Sequence, residues 1–185
     1  LSLMLRPLYL LLFNWMGWKI EGSFPSDIKK YIVAVAPHTS NWDFPLGVMA
    51  RSILRMQNAR FLGKDSLFKP PFGWFFRWLG GHPVDRSQRH DVVQQVVDIF
   101  NRHEQFILAL APEGTRKKVA KLRTGFYYIA KGAGVPIIPV GFDFSKKRIV
   151  IREPFYPTDD AEADFAQLIA FYRNMRGKNP ELGID

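Results

Sequence analysis

Tyr31-Ile32-Val33-Ala34-Val35-Ala36 is an unbroken apolar run that stops at Pro37, and Gln105-Phe106-Ile107-Leu108-Ala109-Leu110-Ala111 repeats the pattern, stopping at Pro112. Runs without polar alternation mark strands covered on both faces. Working outward, Val135-Pro136-Ile137-Ile138-Pro139-Val140-Gly141-Phe142 reads as a third strand, whose two prolines predict an edge or an irregular segment. Lys147-Arg148-Ile149-Val150-Ile151-Arg152 reads as a shorter fourth. Helical spacing fills the intervals over 43–57, 89–103, 122–132 and 161–176; in the second of these, Val92, Val93, Val96, Val97 and Phe100 form one stripe. Strands alternating with helices predict an α/β fold with a largely parallel central sheet flanked by helices. With no repeat and no linker, residues 1–185 form a single domain, a size that can bury a genuine core.

Open α/β sheets place ligands at the carboxyl ends of their strands. Both buried runs end in Ala-Pro and pass at once into polar residues, Pro37-His38-Thr39-Ser40-Asn41-Trp42-Asp43-Phe44-Pro45 and Pro112-Glu113-Gly114-Thr115-Arg116-Lys117-Lys118. If the strands are parallel neighbours, the two tips share one rim. On a regular helix His38 and Asp43 lie too far round to touch, so they meet only if a loop joins them and the helix begins near Asp43. Pro45 favours that start, since proline is tolerated in a first helical turn, and Asn41 or Asp43 is placed to cap it. Asp43 then orients one ring nitrogen of His38 and leaves the other as a base. A plainer reading is a histidine satisfied within the core beside an N-cap aspartate. At the second tip, Gly114 permits a tight turn, and Arg116 offers a planar fork suited to phosphate, with Lys117, Lys118, Lys121 and Arg123 close behind. Arg86, in Val84-Asp85-Arg86, begins another turn and is placed to share that phosphate, or else to pair with Asp85.

The chain has no cysteine, which excludes disulfide scaffolds, thiol nucleophiles and cysteine-ligated metal. His82, His90 and His103 lack the i, i+4 spacing of a zinc site. The net charge is +9 and aromatics reach 15%, a combination suited to nucleic acid or to a phospholipid surface. Basic residues outnumber acidic ones eight to two over 51–90 and ten to two over 113–152, whereas 153–185 holds three against seven. Residues 1–18 form an apolar N-terminal helix, Leu8-Tyr9-Leu10-Leu11-Leu12-Phe13-Asn14-Trp15-Met16-Gly17-Trp18 after Pro7, well short of the roughly 20 residues needed to span a bilayer. It either packs on the core or lies in a membrane interface with Trp15 and Trp18 at headgroup level. The segment 67–80, with Phe72, Trp74, Phe75, Phe76 and Trp78 around a short helix, is either fully buried or faces lipid.

His38-x-x-x-x-Asp43, Val84-Asp85-Arg86, Glu113-Gly114-Thr115-Arg116 and Val135-Pro136-Ile137-Ile138-Pro139, in that order, resemble the glycerophospholipid acyltransferase family, which includes the 1-acylglycerol-3-phosphate acyltransferases. The resemblance covers about residues 17–155 and is nearest to the short bacterial members. It implies transfer of a fatty acyl group from an acyl-CoA or acyl-carrier-protein thioester to a hydroxyl of a lysophosphatidate-like acceptor, with no other cofactor and no metal. It implies His38 as general base with Asp43 orienting it. Arg86, Glu113, Gly114, Thr115 and Arg116 become the acceptor-phosphate site, and Pro136 and Ile137 part of the acyl or donor site. It further implies a peripheral enzyme of phospholipid biosynthesis on the cytoplasmic face of the inner membrane, with the membrane surface, the donor and a lysophospholipid as partners and no nucleic acid. Two departures stand out: Gly81-His82-Pro83 replaces a Phe- or Ile-rich run before the second motif, and proline rather than asparagine precedes His38. The competing readings are acyl transfer to another lipid acceptor and a non-enzymatic basic module that binds lipid or nucleic acid.

Overall fold

The computed structural model describes residues 4–84, 89–119 and 121–184. Seven strands form one sheet: β1 (Lys19–Glu21), β2 (Lys30–Ala36), β3 (Ala59–Lys64), β4 (Gly81–Val84), β5 (Phe106–Leu110), β6 (Ile137–Asp143) and β7 (Arg148–Ile151). Their order is β1-β7-β6-β2-β5-β3-β4, and every neighbouring pair is parallel except β6 and β7. The helices are α1 (Arg6–Trp15), α2 (Asp43–Ile53), α3 (Gly73–Trp78), α4 (Arg89–Arg102), α5 (Gly125–Ala133) and α6 (Ala161–Tyr172).

The pleat of β2 splits the core in two. Ile32, Ala34 and Ala36 face one side and pack with Val96 and Phe100 of α4, Tyr127 of α5 and Leu168 of α6. Tyr31 and Val33 face the other, with Phe13 of α1, Leu46 and Ala50 of α2, and Val140 and Phe142 of β6. Because both faces of β2 are covered, its run is apolar without alternation. The hydroxyl of Tyr172 donates to the Ala34 carbonyl (2.7 Å) and ties α6 to the central strand.

The largely parallel α/β architecture expected from the sequence is present, with two corrections. The proline-bearing β6 is no edge: it lies between β2 and β7 and is buried along its whole length. The prolines are accommodated by where their ladder positions fall. The Pro136 carbonyl accepts from Ile32 N (2.9 Å) and the Pro139 carbonyl from Arg152 N (3.0 Å), so both act as acceptors. On the β7 side Val140 pairs with Ile151 and Ile137 with Phe155, three steps on one strand against four on the other. The missing Pro139 N–H falls inside that bulge, where no ladder partner is required. The second correction is three strands with no apolar run to announce them: β1 spans only three residues, β3 carries Arg60 and Lys64, and β4 is Gly-His-Pro-Val.

The apolar segments divide along their lengths. In α1 Phe13 is buried, while Leu8, Leu11 and Trp15 point outward. Of the two readings left open for this helix, Trp18 follows the first: it is buried in the core, edge-on to Phe144 at 4.9 Å between centroids. In 67–80, Phe68 is buried beneath the Arg77 guanidinium, and Phe72, Trp74 and Trp78 are exposed.

Leu108, fully buried at the centre of β5, tests the core directly. Leu108→Ala is expected to cost about 3 kcal/mol, read as a lower urea midpoint with an unchanged slope.

Candidate active site

β2 and β5 are parallel neighbours, with Ala34 opposite Leu110, so their tips do reach one rim. The chain leaves β2 through Pro37 and turns back at Thr39 and Ser40, and α2 begins at Asp43 with Pro45 in its first turn. This is the loop that the His38–Asp43 spacing demands. Asp43 does not cap the helix. Its Oδ2 instead turns back to accept the main-chain N–H of Thr39 (3.0 Å) and of Ser40 (2.9 Å), and lies 3.0 Å from His38 Nδ1. An ionised carboxylate can only accept, so Nδ1 carries the proton and Nε2 keeps a free lone pair. Nε2 has no hydrogen-bond partner among the described residues, and the imidazole keeps 29% of its surface open to the outside, against 4% for the Asp43 side chain. The other oxygen, Asp43 Oδ1, is buried and unpartnered among the described residues.

The second tip completes the rim. Glu113, 1% exposed, accepts the His38 main-chain N–H at 2.6 Å and so joins the two loops. Burial pushes its carboxyl up to about 7, against the pull of the His38 N–H. Gly114 holds φ +65°, and a Cβ there would collide with the Arg123 side chain, whose Nε donates to the Glu113 carbonyl (3.3 Å). Both demands select glycine. Thr115 and exposed Arg116 follow, the Arg116 guanidinium donating to Asn41 Oδ1 on the histidine loop.

A cavity of about 1430 Å³ opens beside His38, lined mostly by apolar side chains. That exceeds the roughly 300–1,000 Å³ of a typical small-molecule pocket. It runs under α2, between Gly47 of that helix and the capping Leu54 on one side and Val33, Val35, Val140 and Phe142 of the sheet on the other, and it also touches Thr115 and Arg116. Arg51 borders it with its charge spent on main chain, donating to the Met56, Gln57 and Leu79 carbonyls.

His38, Asp43, Glu113, Gly114, Thr115 and Arg116 are thus brought together. Pro136 and Ile137 are not. They lie at the amino end of β6, where Ile137 pairs with Ile32, about 20 Å along the strands from His38. Ile137 is fully buried in the core on the α4–α6 side, and the cavity is reached instead by Val140 and Phe142 at the carboxyl end of the same strand. Arg86 lies outside the described residues. The sequence reading missed Asn41 as the partner of Arg116, and Asn179, which donates to the Thr39 carbonyl from 140 residues away. No local pattern marks either residue.

A family model described as Acyltransferase matches residues 18–143. The 1-acyl-sn-glycerol-3-phosphate acyltransferase of Escherichia coli (strain K12) is 32% identical over 142 residues, covering 72% of this chain and 56% of that protein. The Salmonella typhimurium protein of the same name is 34% identical over 164 residues, covering 79% and 65%. The chain therefore spans between about half and two thirds of the length of these relatives. Among solved structures, the 1-acyl-sn-glycerophosphate (LPA) acyltransferase PlsC from Thermotoga maritima shares the fold, with a TM-score of 0.62 at 23% identity over 92% of this chain and 76% of that one.

Glu113 links this site to pH. Below about pH 4.5 its carboxyl is protonated in both folded and unfolded chains; between 4.5 and about 7 only the folded chain holds the proton. The folded state then binds more protons, so stability falls as pH rises through that window and levels off above 7. The loss is about 3 kcal/mol. Urea midpoints from pH 4.5 to 8 should show this fall in the wild type and a flatter profile in Glu113→Gln.

Proposed function

The chain belongs to the acyltransferase family, and from that membership we propose that it moves a fatty acyl group from an acyl-CoA or acyl-carrier-protein thioester to a hydroxyl of a lysophosphatidate-like acceptor. The observation that carries the reading is a free Nε2 on an imidazole oriented by a buried aspartate, at the mouth of a large apolar cavity. With the proton on Nδ1, Nε2 takes the acceptor's hydroxyl proton as its oxygen attacks the thioester carbonyl. The C–O bond forms, the C–S bond breaks, and the proton on Nε2 passes to the departing sulfur. Asp43 stabilises the imidazolium between these steps, its carboxylate held by two main-chain N–H groups. The chain needs no nucleophile of its own, and holding the hydroxyl against the thioester supplies much of the acceleration.

The roles of the other residues follow from their placement. Arg116, on the exposed loop beside the mouth, meets the acceptor phosphate, with Gly114 bringing that loop close; Arg86 joins it by its motif. Glu113 keeps the two strand tips in register. The acyl chain fits under α2 against Val35, Val140 and Phe142. The basic run Arg116–Arg123 draws the phosphates of coenzyme A or an acidic carrier protein to the same mouth.

No helix among the described residues is long and apolar enough to cross a membrane. We assign peripheral docking on the cytoplasmic face of the inner membrane to α1 and α3, where Trp15 is 83% and Trp74 70% exposed. Tryptophan suits the headgroup layer, and the basic middle of the chain favours anionic lipid.

Two measurements check the proposal. His38→Ala should lower acyl transfer from a long-chain acyl-CoA to lysophosphatidate about a thousandfold, whereas equal turnover by variant and wild type would remove His38 as the base. Trp15→Ser combined with Trp74→Ser should weaken sedimentation with phosphatidylglycerol-containing vesicles. Undiminished binding would move the docking surface elsewhere.

A further inference from the structure

Beyond Tyr172 the chain leaves the helical path expected to continue to residue 176 and crosses the carboxyl edge of the sheet, outside the stretch that the family model matches. It is held at each step. Met175 packs on Gly141, where an added Cβ would lie 2.6 Å from its sulfur. The Arg176 carbonyl accepts from Phe144 N (2.8 Å). Gly177 is buried against the histidine loop, and a Cβ there would sit 2.5 Å from Thr39 Oγ1 and 3.2 Å from Pro37. Lys178 Nζ lies 4.5 Å from the Trp42 ring centroid. Asn179 then donates twice to Thr39, from its main-chain N to Oγ1 (3.2 Å) and from Nδ2 to the carbonyl oxygen (2.8 Å).

The second of these bonds bears on the chemistry. The Thr39 carbonyl and the Ser40 N–H belong to one planar peptide unit and point in opposite directions. Asn179 grips the oxygen end of that plane and Asp43 Oδ2 grips the nitrogen end. The preceding N–H, that of Thr39, also donates to Asp43 Oδ2. Thr39 is itself buried, so without Asn179 its carbonyl loses a partner that water does not readily replace. Rotating the plane to find one withdraws the Ser40 N–H from the carboxylate that faces His38 Nδ1.

We propose that Asn179 is a positioning residue: through the Thr39–Ser40 peptide it fixes the Asp43 carboxylate against His38, making residues 175–179 a strap on which the reactivity of the pair depends. In rate terms this rests on the acyl-transfer reading; in geometry it does not. Loss of the Nδ2 donor lowers kcat and leaves KM for both substrates alone, because the strap touches the loop that aims the base rather than the cavity or Arg116.

Asn179→Asp is the decisive variant, since it keeps the side chain's shape and the main-chain N–H while replacing the donor with an oxygen. Because the new carboxylate also brings a negative charge, Asn179→Ala, which removes the donor without adding a charge, is read beside it. Two signals are read: steady-state transfer from a long-chain acyl-CoA to lysophosphatidate, and the downfield proton resonance of His38 Nδ1–H, assigned by its loss in His38→Ala. The expected result is a kcat reduced about tenfold with unchanged KM, and an Nδ1–H resonance shifted upfield and exchanging faster with water. Asn179→Ala should behave alike. Asn174→Ala, whose side-chain amide donates to the Ala170 carbonyl on α6, should match the wild type in both signals. A His38 resonance unchanged in Asn179→Asp overturns the proposal, whatever the turnover. A wild type that transfers no acyl group defeats the acyl-transfer reading instead, and the resonance still judges the strap.

Discussion

The His38 main-chain N–H and the Glu113 carboxylate meet in a place that water does not reach, and the rest of the site hangs on that 2.6 Å bond. Parallel strands that end in step leave unpaired N–H groups at their tips, and here one tip supplies the acceptor for the other. A hydrogen bond to a charged group contributes roughly 1.5–3 kcal/mol, but burying the carboxylate costs enough to raise its pKa to about 7. The joint is therefore a compromise: strong enough to hold the histidine loop over the end of β5, and near neutrality poised between its charged and neutral forms. Asp43 meets a similar demand differently, with two main-chain donors and an imidazole sharing one oxygen.

Space beside this joint comes from small residues. Ala109, Ala111 and Gly47 line the cavity where larger side chains would fill it. Alanine at a strand's carboxyl end forgoes burial that leucine would supply, about 0.8 kcal/mol for each missing methylene. The same β2 and β5 carry Ile32 and Phe106, both buried, toward the other end, where the sheet needs filling. One pair of strands thus serves as core at its amino end and as cavity wall at its carboxyl end.

How legible this was in the sequence depended on whether a residue's role is local. His38, Asp43, Glu113 and Arg116 were readable because each follows directly from a buried run whose end the sequence marks with proline. The α/β class followed from the same runs. β1, β3 and β4 were hidden because strands toward the sheet's margins need no continuous apolar signal, and Arg60 and Pro83 are tolerated there. The prolines of β6 misled for the opposite reason, since a bulge supplied by the Arg152–Pro154 segment relieves them within the sheet. That relief belongs to a pairing, not to β6 itself. Pro136 and Ile137, which composition marks for an acyl site, lie at the end of their strand away from His38, and only strand direction tells that. Asn179 lies at the far limit of this series, because it acts on the main chain of Thr39 and its partner leaves no trace in side-chain pattern.

The excess of aromatic residues resolves in the same way, by asking what each one covers. A surface helix normally turns a polar face outward, yet α1 spends Phe13 on the core and leaves Leu8, Leu11, Leu12 and Trp15 outside. It does not need those residues to stay attached: Arg6 donates to the Ile53 carbonyl (3.1 Å), and Trp18 anchors the following turn between Phe13 and Phe144. In α3 the inward contact falls to Phe68 and Gly73, so Trp74 and Trp78 are again surplus to the fold. That apolar surface stabilises neither helix against the domain. It is the surface that the docking proposed for α1 and α3 would use, and Arg51 joins α2, which borders α1, to the end of α3 through the Leu79 carbonyl. The cavity runs beneath α2 toward Leu54 and Met56.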